Sequence, residues 1–291
     1  MHYYRILGLE KEPFSTSPDP NFLFLSREHD SVRTSILIQL HLRRGLNVIL
    51  GDVGTGKTTL SRKLIQELGE REKFIFHVTL NPTYESEREF LGSLIRNFQV
   101  PFSPVINQET SVSEMRDAFE KYLLYKTTAE NKIVTLIIDE AQKLSIEAME
   151  SLRILLNYET NEYKLMQLVL LGQLELHSKI MHMQNFYDRI DYKFTLNPLG
   201  YDETKSMIEF RIRQAGYGGL KRLFEDDAVM EIYHYAKGYP RGIIRVCHNC
   251  LRELVMSKSH TVVDKEIVAN VIAKDSASRW QKTTVPQSTS S

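Results

Sequence analysis

The stretch GDVGTGKTTL, residues 51–60, decides how the rest of the chain is read. A short apolar run precedes it, Leu46 to Leu50, broken only by Asn47. Leucines at 60, 64 and 68 follow it and mark one face of a helix. Gly51, Gly56, Lys57 and Thr58 satisfy the pattern G-x-x-x-x-G-K-[ST], and Gly54 adds a further glycine. Glycines let a backbone turn tightly and aim its N–H groups at phosphate oxygens. Lys57 can reach the β- and γ-phosphates of a nucleotide, and Thr58 can offer its hydroxyl to Mg²⁺. The following helix adds its positive N-terminal end. The segment expected to hold ATP is therefore Gly51, Asp52, Val53, Gly54, Thr55, Gly56, Lys57, Thr58 and Thr59. The alternative is a glycine-rich turn with no ligand.

The run IVTLIIDEAQ, residues 133–142, supplies the second piece. Asp139 falls where a buried strand ends, the usual place for a site in a parallel sheet. From there it can bind Mg²⁺, directly or through water, opposite Thr58. Glu140 can orient the attacking water or take its proton. The competing reading makes this acidic pair the N-cap of the next helix.

Around these pieces the strand and helix signals alternate. Strands are expected at Asn47 to Leu50, Phe74 to Thr79, Ile133 to Ile138, Gln167 to Leu171 and Lys193 to Leu196. Continuous apolar strands separated by helices argue for a parallel sheet covered on both faces. After Pro198 the strand signal stops, and the remaining patterns are helical. The expected domains are an irregular, proline-rich arm (1–30), an α/β core (31–197), a small all-helical domain (198–275) and a disordered polar tail (276–291). A helix is expected to follow the arm, from about Arg27 to Leu42.

The composition sets limits. Of 291 residues, 42% are hydrophobic and 25% charged, as in ordinary globular proteins. Formal net charge is zero, so any nucleic-acid contact needs a local basic patch. No run approaches the ~20 apolar residues of a membrane span. The N-terminal stretch carries charges and no small-residue cleavage site, which argues against a secretory signal. Two cysteines make no disulfide framework. The expectation is a cytoplasmic protein with no direct membrane span.

Several separated motifs together resemble one family. They are the DEAQ box, the run LRILLNYETNEYKLMQLVLLGQLEL (Leu152 to Leu176), the arm PFSTSPDPNFLFLS and the later GYPRGIIRVC. Over roughly residues 3 to 275 they look like the ExeA or GspA-type secretion-pathway ATPases. These belong to the AAA+ superfamily, near the branch of the origin-recognition proteins and the TniB- or TnsC-like transposition regulators. The resemblance implies a P-loop NTPase (AAA+) fold: a parallel five-stranded sheet covered by helices, with a helical C-terminal lid.

It also implies three further site residues. Gln173, after LVLLG, matches the polar residue that senses the γ-phosphate. Arg189, in FYDRIDYKF, matches the arginine that reaches a neighbouring subunit's nucleotide. Arg241, with Gly238 and Pro240, matches the lid arginine of a G-x-P-R motif. Related sequences carry a second arginine four residues after the first; here Lys193 stands instead, without the flat fork that grips phosphate. The alternatives are a surface amide for Gln173, pairing with Asp188 or Asp191 for Arg189, and a helix-capping role for Arg241.

Other signals are read as structural. Cys247 and Cys250 lie on one apolar helical face and are expected to be packed, since no second ligand pair completes a zinc site. Tyr3, Tyr4 and Phe14 belong either to the core or beside an adenine. Arg43, Arg44, Arg211, Arg213, Lys221, Arg222 and Lys143 are expected as solvated charge rather than as DNA contacts.

Three functions compete. The first is a DNA-targeting or transposition regulator that assembles with copies of itself into a ring or filament on duplex DNA and recruits a transposase. Secretion relatives typically continue into a membrane span and a cell-wall-binding domain, and this sequence stops at Ser291 without either, which favours the first reading. The second is an accessory ATPase of a secretion or pilus system, working with its components through a separate membrane partner. The third is a nucleotide-gated scaffold that does not hydrolyse.

Overall fold

The computed structural model describes residues 2–15, 20–102, 110–257 and 261–277. In chain order these form α1 (Tyr3–Ile6), α2 (Arg27–His41), β1 (Leu46–Gly51), α3 (Lys57–Gly69), β2 (Phe74–Thr79), α4 (Glu87–Asn97) and α5 (Val112–Leu124). Then follow β3 (Ile133–Ile138), α6 (Ile146–Leu155), β4 (Met166–Gly172), α7 (Leu174–Met181), α8 (Gln184–Tyr187) and β5 (Ile190–Leu196). The last helices are α9 (Tyr201–Gln214), α10 (Asp226–Ala236), α11 (Pro240–Met256) and α12 (Lys265–Ala277). The chain divides into two compact units. One runs from Leu25 to Asn197; the other joins the residues up to Phe24 with those from Pro198 onward.

The first unit is built on a five-stranded sheet in the order β2-β3-β4-β1-β5. Every pairing is parallel. Side chains alternate across the sheet. Leu46, Val48 and Leu50 of β1 join Val134, Leu136 and Ile138 of β3 in a core with α4, α5 and α6. Ile49, Ile133 and Ile137 face the other way, against Val32, Ile36 and Leu40 of α2 and Leu60, Leu64 and Leu68 of α3. Burial on both faces is why IVTLII reads as one apolar run rather than an alternating one.

Parallel registers bring the C-terminal ends of the strands to one edge. Leu50 lies beside Gly172, Gly51 beside Leu196, Ile138 beside Leu170 and Thr79 beside Ile138. The loop of residues 52–56 and the acidic pair Asp139–Glu140 leave the sheet at this edge. β5 begins at Ile190, three residues before its expected start, because β1 pairs with it along its whole length, Leu46 opposite Ile190.

The second unit is helical apart from a bridge between Phe224 and Val263, among the described residues. Its core holds Leu9, Phe14 and Phe22 together with Ile208, Val229, Ile232, Cys247 and Leu251. The expected arm of residues 1–30 is therefore corrected: it is not a separate piece. Residues up to Phe24 pack with the C-terminal helices, and Ser26 caps α2 and so opens the sheet unit. The expected tail lies outside the described residues, save that α12 continues to Ala277.

Arg211 of α9 explains the arm's allegiance. Its Nε donates to the Pro13 carbonyl at 2.8 Å, Nη1 to that of Phe22 at 2.8 Å and Nη2 to that of Ser15 at 3.1 Å. It is buried, not solvated as its sequence context suggested. Charge-assisted hydrogen bonds of this kind contribute about 1.5–3 kcal/mol each. Arg211→Met should lower the melting temperature by roughly 5–10 °C and make the arm sensitive to protease. Calorimetry and limited proteolysis check this; an unchanged melt with a protected arm would contradict it.

Candidate nucleotide-binding site

β1 ends at Gly51 and α3 starts at Lys57, so residues 52–56 must turn the chain from strand to helix. Gly54 (φ 87°) and Gly56 (φ 103°) take left-handed conformations that side chains disfavour. Asp52 and Val53 lie exposed at the loop, Thr55 is buried beneath it, and Thr59 is half-buried on α3. Lys57 is 5% exposed. Its Nζ donates to the carbonyls of Gly51 at 2.7 Å and Asp52 at 2.9 Å. Burial pulls its pKa below the usual lysine value, while the carboxylates of Glu140, Asp139 and Asp52 oppose that shift.

Asp139 follows β3 directly and is 3% exposed. Thr58 Oγ1 donates to its Oδ2 at 3.1 Å. Burial raises the Asp139 pKa; the Glu140 N–H and the Thr58 hydroxyl work against that rise by stabilising the charged form. The pair fits Mg²⁺. Octahedral oxygens at 2.0–2.1 Å from magnesium stand about 2.9 Å apart, close to the observed spacing. A hydroxyl and a carboxylate are also the hard oxygen donors that this ion prefers.

Glu140 sits at φ 54°, ψ 36°, in the left-handed region. That conformation costs a non-glycine residue about 1–2 kcal/mol and persists where the surroundings over-determine it. Here its N–H donates to Asp139 Oδ1 at 2.9 Å. Its Oε2 accepts from Gln142 Nε2 at 2.7 Å and from Gln173 Nε2 at 3.3 Å. The Gln173 N–H donates to Gln142 Oε1 at 3.1 Å. Lys179 of α7 fixes the turn by donating to the carbonyls of Gln142 (2.5 Å) and Leu144 (2.9 Å). Gln173 is thus tied to the acidic pair rather than being a loose surface amide. The acidic pair caps no helix by side chain.

Arg189 lies elsewhere. It immediately precedes Ile190, which pairs with Leu46 at the N-terminal edge of the sheet. β5 runs from there to Leu196 beside Gly51, six residue steps of about 3.3 Å, or roughly 20 Å. The guanidinium is held by Asn157 Oδ1, 3.0 Å from Nε and 2.6 Å from Nη2, and by the Asn185 carbonyl. No ion pair with Asp188 or Asp191 is formed by it. Lys193 donates to the Tyr187 hydroxyl at 2.5 Å and covers its ring.

Arg241 belongs to the helical unit, exposed on the first turn of α11 behind Pro240. A helix N-terminus needs acceptors and repels cations, so a guanidinium there is no cap. Phe14 and Tyr3 pack within the same unit: Phe14 against Phe224, and Tyr3 against His248 with its hydroxyl 3.0 Å from Nδ1. Cys247 and Cys250 are free thiols. Burial pushes the Cys250 thiol up to about 12 and that of Cys247 well above its ordinary value. No cluster of three or more His, Cys, Asp or Glu side chains able to hold a metal occurs among the described residues. Arg43 is buried as well, over the Tyr163 ring at 4.3 Å and donating to Asn131 Oδ1 at 2.8 Å. It is therefore not surface charge.

Sequence reading passed over Gln142, Asn157 and His29. Gln142 had a signal, its place in the DEAQ box. Asn157 and His29 had none, because each meets its partner only through the tertiary fold.

A five-stranded parallel sheet with this strand order, and a phosphate-type cradle beside an acidic strand end, has the P-loop AAA+ fold. Residues 40–180 match a family model described as an AAA domain. Over most of its length, the sequence is similar to General secretion pathway protein A of Aeromonas hydrophila, at 32% identity over 267 residues. That match covers 91% of this chain and 47% of the relative, so the chain spans about half the relative's length. Among solved structures, the Aeropyrum pernix ORC2 protein is similar with TM-score 0.63 and 18% identity, over 91% of this chain and 72% of that one. Drosophila ORC bound to DNA gives 0.64 and 15%, over 95% and 67%. The Thermotoga maritima RuvB Holliday junction branch migration motor gives 0.55 and 18%, over 87% and 73%. No helix among the described residues is long and apolar enough to cross a membrane.

Proposed function

We propose that this chain binds and hydrolyses ATP with Mg²⁺, and that copies of it complete one another's sites. The observation that carries the reading is the pair of oxygens from Thr58 and Asp139, 3.1 Å apart, with Glu140 next to them in a fixed, strained conformation. Gly51 to Thr59 receive the phosphates, and Lys57 leaves its carbonyl partners to meet the β- and γ-phosphates. Thr58 and Asp139 would hold Mg²⁺, which would supply neutralisation of the phosphate charge. Glu140 orients a water and accepts its proton, and the Gln142 and Gln173 amides hold that carboxylate in place. Gln173 also reports the γ-phosphate. Arg189 lies too far from its own cradle to act there and serves the cradle of a neighbouring copy in a ring or filament. Arg241 keeps the role of lid arginine that its G-x-P-R pattern implies.

The relative named for general secretion supports the biological setting: an ATPase of the ExeA type that works with secretion components on the cytoplasmic side, where ATP is made, through a membrane partner. A DNA-targeting regulator that recruits a transposase is the second reading. It is favoured by two solved neighbours, one bound to DNA and one named for Holliday junctions, which share only 15% and 18% identity. Arg43 and Arg211 lend it no help, since both are buried in structural hydrogen bonds.

The test is phosphate release from Mg·ATP by the purified chain, with and without duplex DNA. Turnover without a DNA effect supports the first setting. ATP-dependent duplex binding that weakens steeply with salt, as counterion release requires, supports the second. Tight ATP binding with no phosphate released under any condition would leave the scaffold reading in its place.

A further inference from the structure

Beneath the phosphate loop lies a buried histidine that the proposed chemistry leaves without a part. His29, on the first turn of α2, is 2% exposed. Its Nε2 lies 2.9 Å from the carbonyl oxygen of Thr55, and its Nδ1 lies 2.7 Å from Ser26 Oγ. Ser26 Oγ also accepts the His29 backbone N–H at 3.3 Å, as the cap of α2.

These distances select a tautomer. The serine hydroxyl carries a single proton. The Thr55 carbonyl can only accept, so it calls for a donor at Nε2 and leaves Nδ1 of the neutral ring to accept the serine proton. The neutral ring then carries its own proton on Nε2 and donates it to the Thr55 carbonyl.

The carbonyl is what matters. In a planar trans peptide, the C=O and the N–H of the next residue point in opposite directions. Pinning the Thr55 oxygen on the α2 side therefore turns the Gly56 N–H away from α2, into the hollow of the loop. Gly56 has φ +103°, and a Cβ on it would stand 2.5 Å from His29 Nε2. The imidazole thus fills the room that a side chain at position 56 would need.

We propose that His29 is a positioning residue for phosphate binding: through the Thr55 carbonyl it sets the direction of the Gly56 amide that receives the phosphate. The proposal rests on the nucleotide-binding reading above. It differs from a purely space-filling role because only the first needs a donor at Nε2.

Equilibrium binding of ADP and of ATP with Mg²⁺ tests it in the full chain with His29→Leu, His29→Gln and Val32→Ala. Val32 is fully buried on the same helix, in the apolar core with Ile36, Ile49 and Leu60, and carries no polar group, so its truncation is the stability control. His29→Leu should weaken both nucleotides roughly tenfold or more, the effect of stranding a buried acceptor. His29→Gln, which keeps an N–H at similar reach, should recover most of that loss, and Val32→Ala should bind like the parent. Parent-like affinity in His29→Leu, or an equal loss in Val32→Ala at a similar melting temperature, would overturn the proposal. If His29→Leu does not fold, ¹⁵N shifts of the His29 ring in the parent decide: a proton on Nε2 supports the proposal, and a proton on Nδ1 alone refutes it. A parent chain that binds neither nucleotide would remove the proposed function itself, an outcome distinct from the failure of His29's role.

Discussion

Glu140→Gln should bind ATP with near-parent affinity and release phosphate at least about 100-fold more slowly, the usual contribution of a positioned base. The substitution keeps the side chain's size and one oxygen able to accept from Gln142 and Gln173, so the local fold stays intact. It removes the charge and the basicity. It leaves Lys57 and the Thr58–Asp139 pair, proposed to hold the triphosphate and its ion, untouched. Equilibrium ATP binding and single-turnover phosphate release, measured side by side, separate the two effects. Equal rates in parent and variant would deny Glu140 its assignment. Parallel losses of binding and turnover would mean that it acts on the ligand instead of the water.

The second large effect concerns Arg189→Ala. Turnover should fall by ~10³ or more, the scale known for an arginine supplied in trans, while each subunit still binds ATP. The geometry makes the trans role testable without a structure of the assembly. A subunit carrying Arg189→Ala still owns Glu140, and a subunit carrying Glu140→Gln still owns Arg189. Mixing the two inactive proteins should restore activity, because one kind of interface combines a good base with a good arginine. In the parent, turnover per chain should rise with protein concentration. A mixture as inactive as its components, together with concentration-independent parent turnover, would falsify the assignment. Asn157→Ala should imitate Arg189→Ala more weakly, because Asn157 Oδ1 holds two of the guanidinium nitrogens.

The parts of this molecule legible from sequence are those whose determinants are contiguous. The cradle is one unbroken string in which the glycines, Lys57 and Thr58 state their own geometry. IVTLIIDE announces both the buried strand and the acidic pair at its end. The C-terminal helices show their apolar faces by spacing alone, as Ile243, Val246, Cys247, Cys250, Leu251 and Leu254 do on α11. Legibility fails where a charged or polar residue meets a partner far along the chain. Arg211 reads as surface charge until Pro13, Ser15 and Phe22 offer it their carbonyls. Arg43 reads the same way until Tyr163 and Asn131 enclose it. The side-chain type was known in each case; the dielectric around it was set by tertiary structure. The same holds for the arm, whose aromatics signal burial without naming the core that takes them.

The parallel sheet has one further consequence. Its two ends are unlike: one carries the acidic pair and the loop at Lys57, the other carries Arg189. Copies that join end to end through these unlike surfaces form a heterologous contact, with no two-fold axis relating the partners. Two such molecules always leave one cleft without its arginine and one arginine without a cleft. An open chain of any length keeps one cleft unserved at its end and only closure into a circle equips every member, so output should climb with the number of joints rather than the number of molecules.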